Sequence, residues 1–161
     1  MYEYLSSAYD ELHGSEQTRK LNIIKAELGL KPWNTVLDIG CGTGLSSILG
    51  CEITGIDCCD EMIEKSRKRI NAMKGFAEEL PFPDKSFDAV ICVTALHNFS
   101  DINAAIIEMR RVSRGKIAIS ALKKSSRLKL IEDTIKNQLH IELVVDDATD
   151  RIFFCINKVM N

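Results

Sequence analysis

Thr35-Val36-Leu37-Asp38-Ile39-Gly40-Cys41-Gly42-Thr43-Gly44 decides how this chain is read. Five residues that are β-branched or apolar, except for one acid, form a buried strand, and the strand runs straight into a glycine loop. Working outward, a short helix spans Leu45 to Leu49 and a strand spans Glu52 to Asp57. A helix covers Asp60 to Asn71, with Met62, Ile63 and Ile70 apolar, and a short strand lies near Met73 to Ala77. Phe87 to Val93 hardly alternates and reads as a strand buried on both faces. Ile102, Ala105, Ile106 and Met109 mark an amphipathic helix capped by Asp101. Lys116 to Leu122 is a strand, Leu128, Ile131 and Ile135 line a helix, and Ile141–Val145 with Ile152–Ile156 form a hairpin. Upstream, Tyr2, Leu5, Tyr9 and Leu12 share one face of a first helix; Gly14-Ser15 breaks it, and a second helix carries Leu21, Ile24 and Leu28 as far as Gly29. Alternating strands and helices imply right-handed βαβ units. The expected fold is α/β: a doubly wound, mostly parallel seven-stranded sheet in three layers, ending in a β-hairpin.

The chain has 161 residues, with 45% hydrophobic and 27% charged. That suits one domain over residues 1–161, divided into a helical N-terminal segment (1–30) and a core (35–161). With 21 basic and 23 acidic residues, the net charge of −2 gives no general attraction to nucleic acid or acidic lipid. No uncharged stretch is long enough to span a membrane, and no secretory signal is visible, so a cytoplasmic protein is expected. The six cysteines, at 41, 51, 58, 59, 92 and 155, include no C-x-x-C pair and no histidine at ligand spacing. Reduced thiols and no metal site are therefore expected.

Doubly wound sheets bind ligands beyond the carboxyl ends of their strands, where the winding reverses. A dinucleotide loop would want a third small residue where Leu45 stands. Asp38, two residues before the first glycine, sits badly beside a pyrophosphate but well beside an ammonium or sulfonium charge. Asp57, ending the second strand, can accept both hydroxyls of an adenosine ribose. A glycine loop, an acid for a cation and an acid for a ribose together describe S-adenosyl-L-methionine.

The same residues resemble class I S-adenosylmethionine-dependent methyltransferases, whose fold is Rossmann-like. Val36 to Gly44 is similar to their first motif. The likeness continues through Gly55-Ile56-Asp57-Cys58-Cys59-Asp60-Glu61-Met62-Ile63, Ala77 to Val90, Ala95-Leu96-His97-Asn98-Phe99 and Glu108-Met109-Arg110-Arg111-Val112. It covers about residues 35 to 120 and looks nearest to the quinone-biosynthesis-type branch, whose members act on many substrates. The resemblance implies that Asp38 and the Gly40 carbonyl hold the methionine amine, with Cys41 beside them, and that Gly42 faces the ligand closely. Asp57 would bind the ribose, and Cys58, Met62, Ala77 and Glu78 would surround the adenine. The Thr94 carbonyl would also meet the amine. Tyr9, on a segment that folds over the cofactor as a lid, would lie near the sulfonium, or else pack as part of an ordinary amphipathic helix. Two departures stand out. Phe76 replaces a common acid at the adenine, and Cys59 replaces a serine cap, leaving Asp60 to cap the following helix.

Methyl transfer from a sulfonium needs proximity and water exclusion more than a catalytic side chain. His97, just past strand four, is the one candidate base or substrate hydrogen-bonder; the alternative is a structural histidine. Cys92 lies inside a strand, where a nucleophile is not expected. Eight basic residues and no acid lie between Glu108 and Glu132. Topology splits them, leaving only Lys123, Lys124 and Arg127 on the active edge. They would face either an anionic substrate such as RNA or solvent. The expected activity is S-adenosylmethionine-dependent methylation of a small molecule. RNA or protein methylation, or a non-catalytic cofactor-binding subunit, are the alternatives. So little chain remains for the acceptor that a homodimer or partner protein could complete its site.

Overall fold

The computed structural model describes residues 2–158, with side chains from residue 14 onward. Its elements in chain order are α1 (Tyr2–Leu28), β1 (Thr35–Ile39), β2 (Glu52–Asp57), α2 (Asp60–Ser66), β3 (Asn71–Lys74), β4 (Phe87–Val93), α3 (Ile102–Val112), β5 (Ser113–Leu122), α4 (Leu128–Gln138), β6 (Leu139–Asp146) and β7 (Asp150–Asn157). Single 3₁₀ turns at Leu45–Leu49 and Leu96–Asn98 follow β1 and β4. The strands form one seven-stranded sheet in the order β3-β2-β1-β4-β5-β7-β6. β1 to β5 pair in parallel, and β7 runs antiparallel to both β5 and β6. The expected doubly wound sheet with a terminal hairpin is present. The winding reverses between β1 and β4.

Period-two alternation assigns the strand residues to two packed faces. Leu37, Ile39, Val90, Cys92, Ile117 and Ile119 point toward α3 and α4, meeting Ile106, Met109, Ile131 and Ile135. Val36, Ala89, Ile91, Ala118 and Phe154 point the other way, onto Leu21, Ile24 and Leu28 of α1. α3 starts where expected, its Asp101 side chain accepting the Ala104 N–H at 3.0 Å.

Four expectations are corrected. α1 is one helix, not two broken at Gly14-Ser15. An interior glycine costs only about 1 kcal/mol relative to alanine, and the packed stripe of Leu21, Ile24 and Leu28 outweighs it. α2 stops at Ser66 rather than running to Asn71, because the Arg69 and Ile70 amides turn back onto the Ser66 carbonyl. That releases Asn71–Lys74 to pair with β2 from Thr54 to Asp57, so β3 lies earlier than the Met73–Ala77 expected. β5 begins at Ser113, three residues early, with a register shift opposite Phe87 and Ala89.

Because Ile24 is fully buried, Ile24→Ala should destabilise the fold by about 2–5 kcal/mol. Urea unfolding measures this. A loss below about 1 kcal/mol would mean that α1 is not an integral layer.

Candidate functional site

Where β1 leaves the sheet, the Gly40 and Cys41 amides both donate to the Ile56 carbonyl, at 2.8 and 3.1 Å. The loop thereby stays pinned across the end of β2. Gly40 has φ +73° and lies against the chain leaving β4: a Cβ there would sit 2.6 Å from Ala95 Cβ. Gly42 also has positive φ, +54°, but a Cβ on it would meet nothing within 4 Å. One glycine is demanded by packing, the other faces open space. Asp57, at the end of β2, reads the loop directly. One carboxylate oxygen accepts the Gly42 N–H and the other the Cys59 N–H, both at 3.0 Å. Cys59 N-caps α2 without a side-chain bond, and Asp60 pairs with Lys74 instead of capping as expected.

Two hollows meet at Gly40, Gly42 and Val93. The larger, about 360 Å³, is lined by Asp57, Cys58, Met62, Phe76, Ala77 and Glu78 on one side and Thr94, Ala95, Asn98 and Phe99 on the other. The smaller, about 40 Å³, holds Asp38, Cys41, Ser46 and, from α1, Gln17 and Leu21. Asp38, Gly40, Cys41, Gly42, Asp57, Cys58, Met62, Ala77, Glu78 and Thr94 therefore all line one hollow or the other. The Tyr9 side chain lies outside the described residues. His97 does not line either hollow. Gln17, Ser46 and Ser100 carry no sequence signal of their own, and Asn98 and Phe99 carry only the family likeness; they arrive through α1 docking and the turn after β4. A wider groove of about 740 Å³ runs along α1 from Gly14 to Ala26, and none of its described lining residues is an acid or lies at a strand end.

Electrostatics single out Asp38. It is 5% exposed and has no ion-pair partner among the described residues. Burial pushes its carboxyl up to about 6; the Asp57 charge adds to this and the nearby Ser46 hydroxyl opposes it. Ser46 Oγ is itself buried without a hydrogen-bond partner of normal geometry. Glu78 Oε1 accepts the Ser100 and Asp101 amides at 3.1 and 3.4 Å, tying the rim after β4 to the loop after β3. Burial lowers the His97 pKa, more than the Asp150 charge raises it, and Nδ1 is buried without a partner. Burial also raises the Cys41 and Cys58 thiols, so neither is primed as a thiolate. Lys123 and Arg127 are turned inward. Lys123 Nζ donates to the Asp147 carbonyl, and Arg127 to the His97 and Phe99 carbonyls at 3.0 and 2.7 Å. All six cysteines are free. Among the described residues no cluster could hold a metal ion and no helix is long and apolar enough to cross a membrane.

Chemically, an unpaired buried carboxylate suits a ligand cation, an acid with lone pairs to spare suits vicinal hydroxyls, and walls of Ile56, Met62, Phe76 and Ala77 suit a flat ring.

Strand order and a glycine-lined crevice at the β1/β4 switch point define a Rossmann-like, ligand-binding α/β fold. Residues 37–119, just over half of the chain, match the methyltransferase domain model, and the chain belongs to that family. It is 32% identical over 129 residues to demethylmenaquinone methyltransferase of Staphylococcus aureus (strain JH9), covering 70% of this chain and 54% of that protein. The chain spans between about a third and a half of the length of the curated relatives it matches. Among solved structures, the putative methyltransferase complexed with the Trm112 methyltransferase activator of Haloferax volcanii superposes with a TM-score of 0.84 at 14% identity, covering 99% of this chain and 97% of that one. Magnesium protoporphyrin IX methyltransferase of Synechocystis PCC 6803, with S-adenosylmethionine bound, gives 0.72 at 18% identity, covering 88% of this chain and 80% of that one. Both likenesses are of fold.

Gly40→Ala and Gly42→Ala separate packing from opening. Both pay for positive φ, but only the first also drives a methyl into Ala95. Gly40→Ala should therefore lose clearly more stability than Gly42→Ala, whose cost stays near 1 kcal/mol. Equal losses in chemical denaturation would refute the close approach at Gly40.

Proposed function

We propose that this chain binds S-adenosyl-L-methionine across the two joined hollows and transfers its methyl group to a small-molecule acceptor. The observation that carries this reading is Asp38: a buried carboxylate with a raised pKa and no cation beside it among the described residues, at the mouth of a strand whose neighbour ends in Asp57. The residues fit the cofactor in two further respects. A Cβ at Gly42 would meet only open space, and Ser46 Oγ is a buried polar atom awaiting a partner.

When bound, the cofactor supplies an electrophilic methyl on a sulfonium. Asp38 holds the ammonium end, with the Gly40 and Thr94 carbonyls as further acceptors. Asp57 takes the ribose hydroxyls on the lone pairs left by Gly42 and Cys59, while Cys58, Met62, Phe76, Ala77 and Glu78 enclose the base. From α1, Gln17 and Leu21 wall the smaller hollow beside Asp38. The acids in the hollows are committed to binding, so rate comes chiefly from orientation and exclusion of water. His97, which lines neither hollow and whose pKa burial lowers, is proposed as an acceptor-side proton acceptor or hydrogen-bonding group outside them. A quinone-like acceptor is supported by the name of the Staphylococcus aureus relative. A second copy or an activator completing the acceptor side is supported by the Haloferax volcanii complex. A cytoplasmic setting suits six unpaired thiols.

Calorimetry should show one S-adenosylmethionine bound per chain, with Asp57→Ala weakening it at least tenfold. Radiolabelled methyl should pass to a low-mass, RNase-resistant fraction of cell extract. Tighter binding of NAD would sink the cofactor assignment, and cofactor binding without any label transfer would leave a cofactor-binding subunit.

The Asp38 carboxyl adds a pH signature. A ligand ammonium pairs only with the ionised form, so a proton must leave Asp38 on binding at pH values below about 6. Affinity should be flat from pH 7 to 8 and fall by up to about tenfold per unit below pH 6. The same raised pKa acts oppositely on the free protein, which takes up a proton and gains stability as pH falls from about 6 toward the unfolded-state value. Asp38→Asn should flatten the binding profile and weaken binding at pH 7 by about 10–100-fold; an unchanged profile in that variant would remove Asp38 from the site.

A further inference from the structure

The fold buries a second charge that the proposed chemistry does not use. Lys20, on α1, is 2% exposed. Its ammonium donates to Asp150 Oδ1 at 3.0 Å and to Thr94 Oγ1 at 2.6 Å. Asp150, fully buried at the start of β7, accepts the Thr94 hydroxyl on its other oxygen at 2.7 Å and the Thr149 hydroxyl at 2.8 Å. The Thr94 amide donates to Ser120 Oγ at 2.9 Å. Three distant parts of the chain therefore close on one threonine.

That threonine has φ +53°, a left-handed conformation that β-branched residues avoid and that persists only where surrounding contacts impose it. Thr94 also lines the larger hollow, between Val93 and Ala95, and its carbonyl accepts no hydrogen bond from any described residue. On α1, Gln17 and Leu21, within a turn of Lys20, wall the smaller hollow. One ammonium thus sets both the backbone of one wall and the position of the other.

We infer that Lys20 is a positioning residue for the ligand site: through Thr94 Oγ1 and Asp150 it holds Thr94 in the left-handed conformation that leaves its carbonyl free at the cavity, and it locks α1 against that cavity. The inference builds on the S-adenosylmethionine reading for the identity of the ligand, but the clamp has a consequence in the free protein as well.

Two measurements test it, S-adenosylmethionine affinity by calorimetry and amide exchange at Thr94 by NMR in the free protein. Lys20→Met should weaken binding at least tenfold and speed Thr94 exchange. Thr94→Val removes the hydroxyl but leaves the Lys20–Asp150 pair intact, so it carries the same test if Lys20→Met does not fold; the same two effects are expected. The double variant Lys20→Met/Thr94→Gly distinguishes positioning from simple structural support, because glycine adopts positive φ unaided. It should regain most of the affinity that Lys20→Met loses. Single variants with wild-type affinity and exchange, or a double variant no tighter than Lys20→Met, would overturn the inference. If the wild type does not bind S-adenosylmethionine, the cofactor reading fails, and the exchange comparison alone decides the clamp.

Discussion

β1 is hydrogen-bonded on both sides, to β2 and β4, and covered on both faces, yet it carries a carboxylate next to its last residue. The surroundings of Asp38 follow from that constraint. A charge removed from water must be paired, neutralised or reached by a ligand. No cation among the described residues pairs with Asp38, and burial moves its pKa instead. The chain around it is kept small: glycine at 40, where Ala95 presses in, glycine at 42, facing open space, and glycine at 44, whose Cβ would lie 3.1 Å from the Ser66 backbone. Side chains are thus missing along the loop that follows the acid, and the hollows open beside Gly40 and Gly42.

The hairpin treats its acids in the opposite way. Asp146, Asp147 and Asp150 surround the β6–β7 turn, and each meets a cation: Arg151 and Lys123 at Asp146, Arg19 at Asp147, Lys20 at Asp150. The paired Arg19 guanidinium holds the Asp147 carboxyl far below the usual carboxylate range. Two of these cations are neighbours on α1. An antiparallel hairpin added to a parallel sheet is thus the anchorage of the helix that walls the smaller hollow. Buried ion pairs add little net stability against an apolar alternative; their value here is that they permit one seating of α1. Acids with partners fix the frame, and the acid without one is left for the ligand.

The two kinds of acid were not equally legible. Asp38 and Asp57 sit at the ends of apolar runs beside a glycine loop, so their place in the sheet follows from local pattern, whereas Gln17, Leu21 and Ser46 reach the hollows through packing alone. Lys20 and Asp150 are 130 positions apart. Lys20 adjoins the helical stripe of Leu21, Ile24 and Leu28 but carries no sign of burial, and Asp150 reads as one more polar turn residue. Two of the misplaced boundaries have similar origins. Gly14 signals a break only if local propensity decides, and here packing decides. Ile70 continues the apolar spacing of Met62 and Ile63 from outside the helix, because the ladder with β2 claims the residues after it. Non-local hydrogen bonds and pairs leave no mark on a single sequence.

The basic run between Glu108 and Glu132 shows the same effect in reverse, a conspicuous sequence feature that tertiary structure uses up. Arg110 donates to Gln138, Arg111 to Glu108 and Asp84, Arg114 to Asp88, and Lys116 to the Leu28 carbonyl. Lys123 and Arg127 hold carbonyls of the hairpin turn and of the rim after β4, and Lys129 pairs with Asp133. Lys124 alone among the eight has no partner among the described residues. A surface that binds a nucleic-acid backbone must offer several unpaired cations, since each phosphate contact displaces a counterion. Six of these eight are spent on joining elements, Lys129 pairs only with Asp133 one turn along α4, and stacking aromatics are missing between them. The run therefore argues for a fold tied together around its crevice, and against a polyanionic acceptor at that edge.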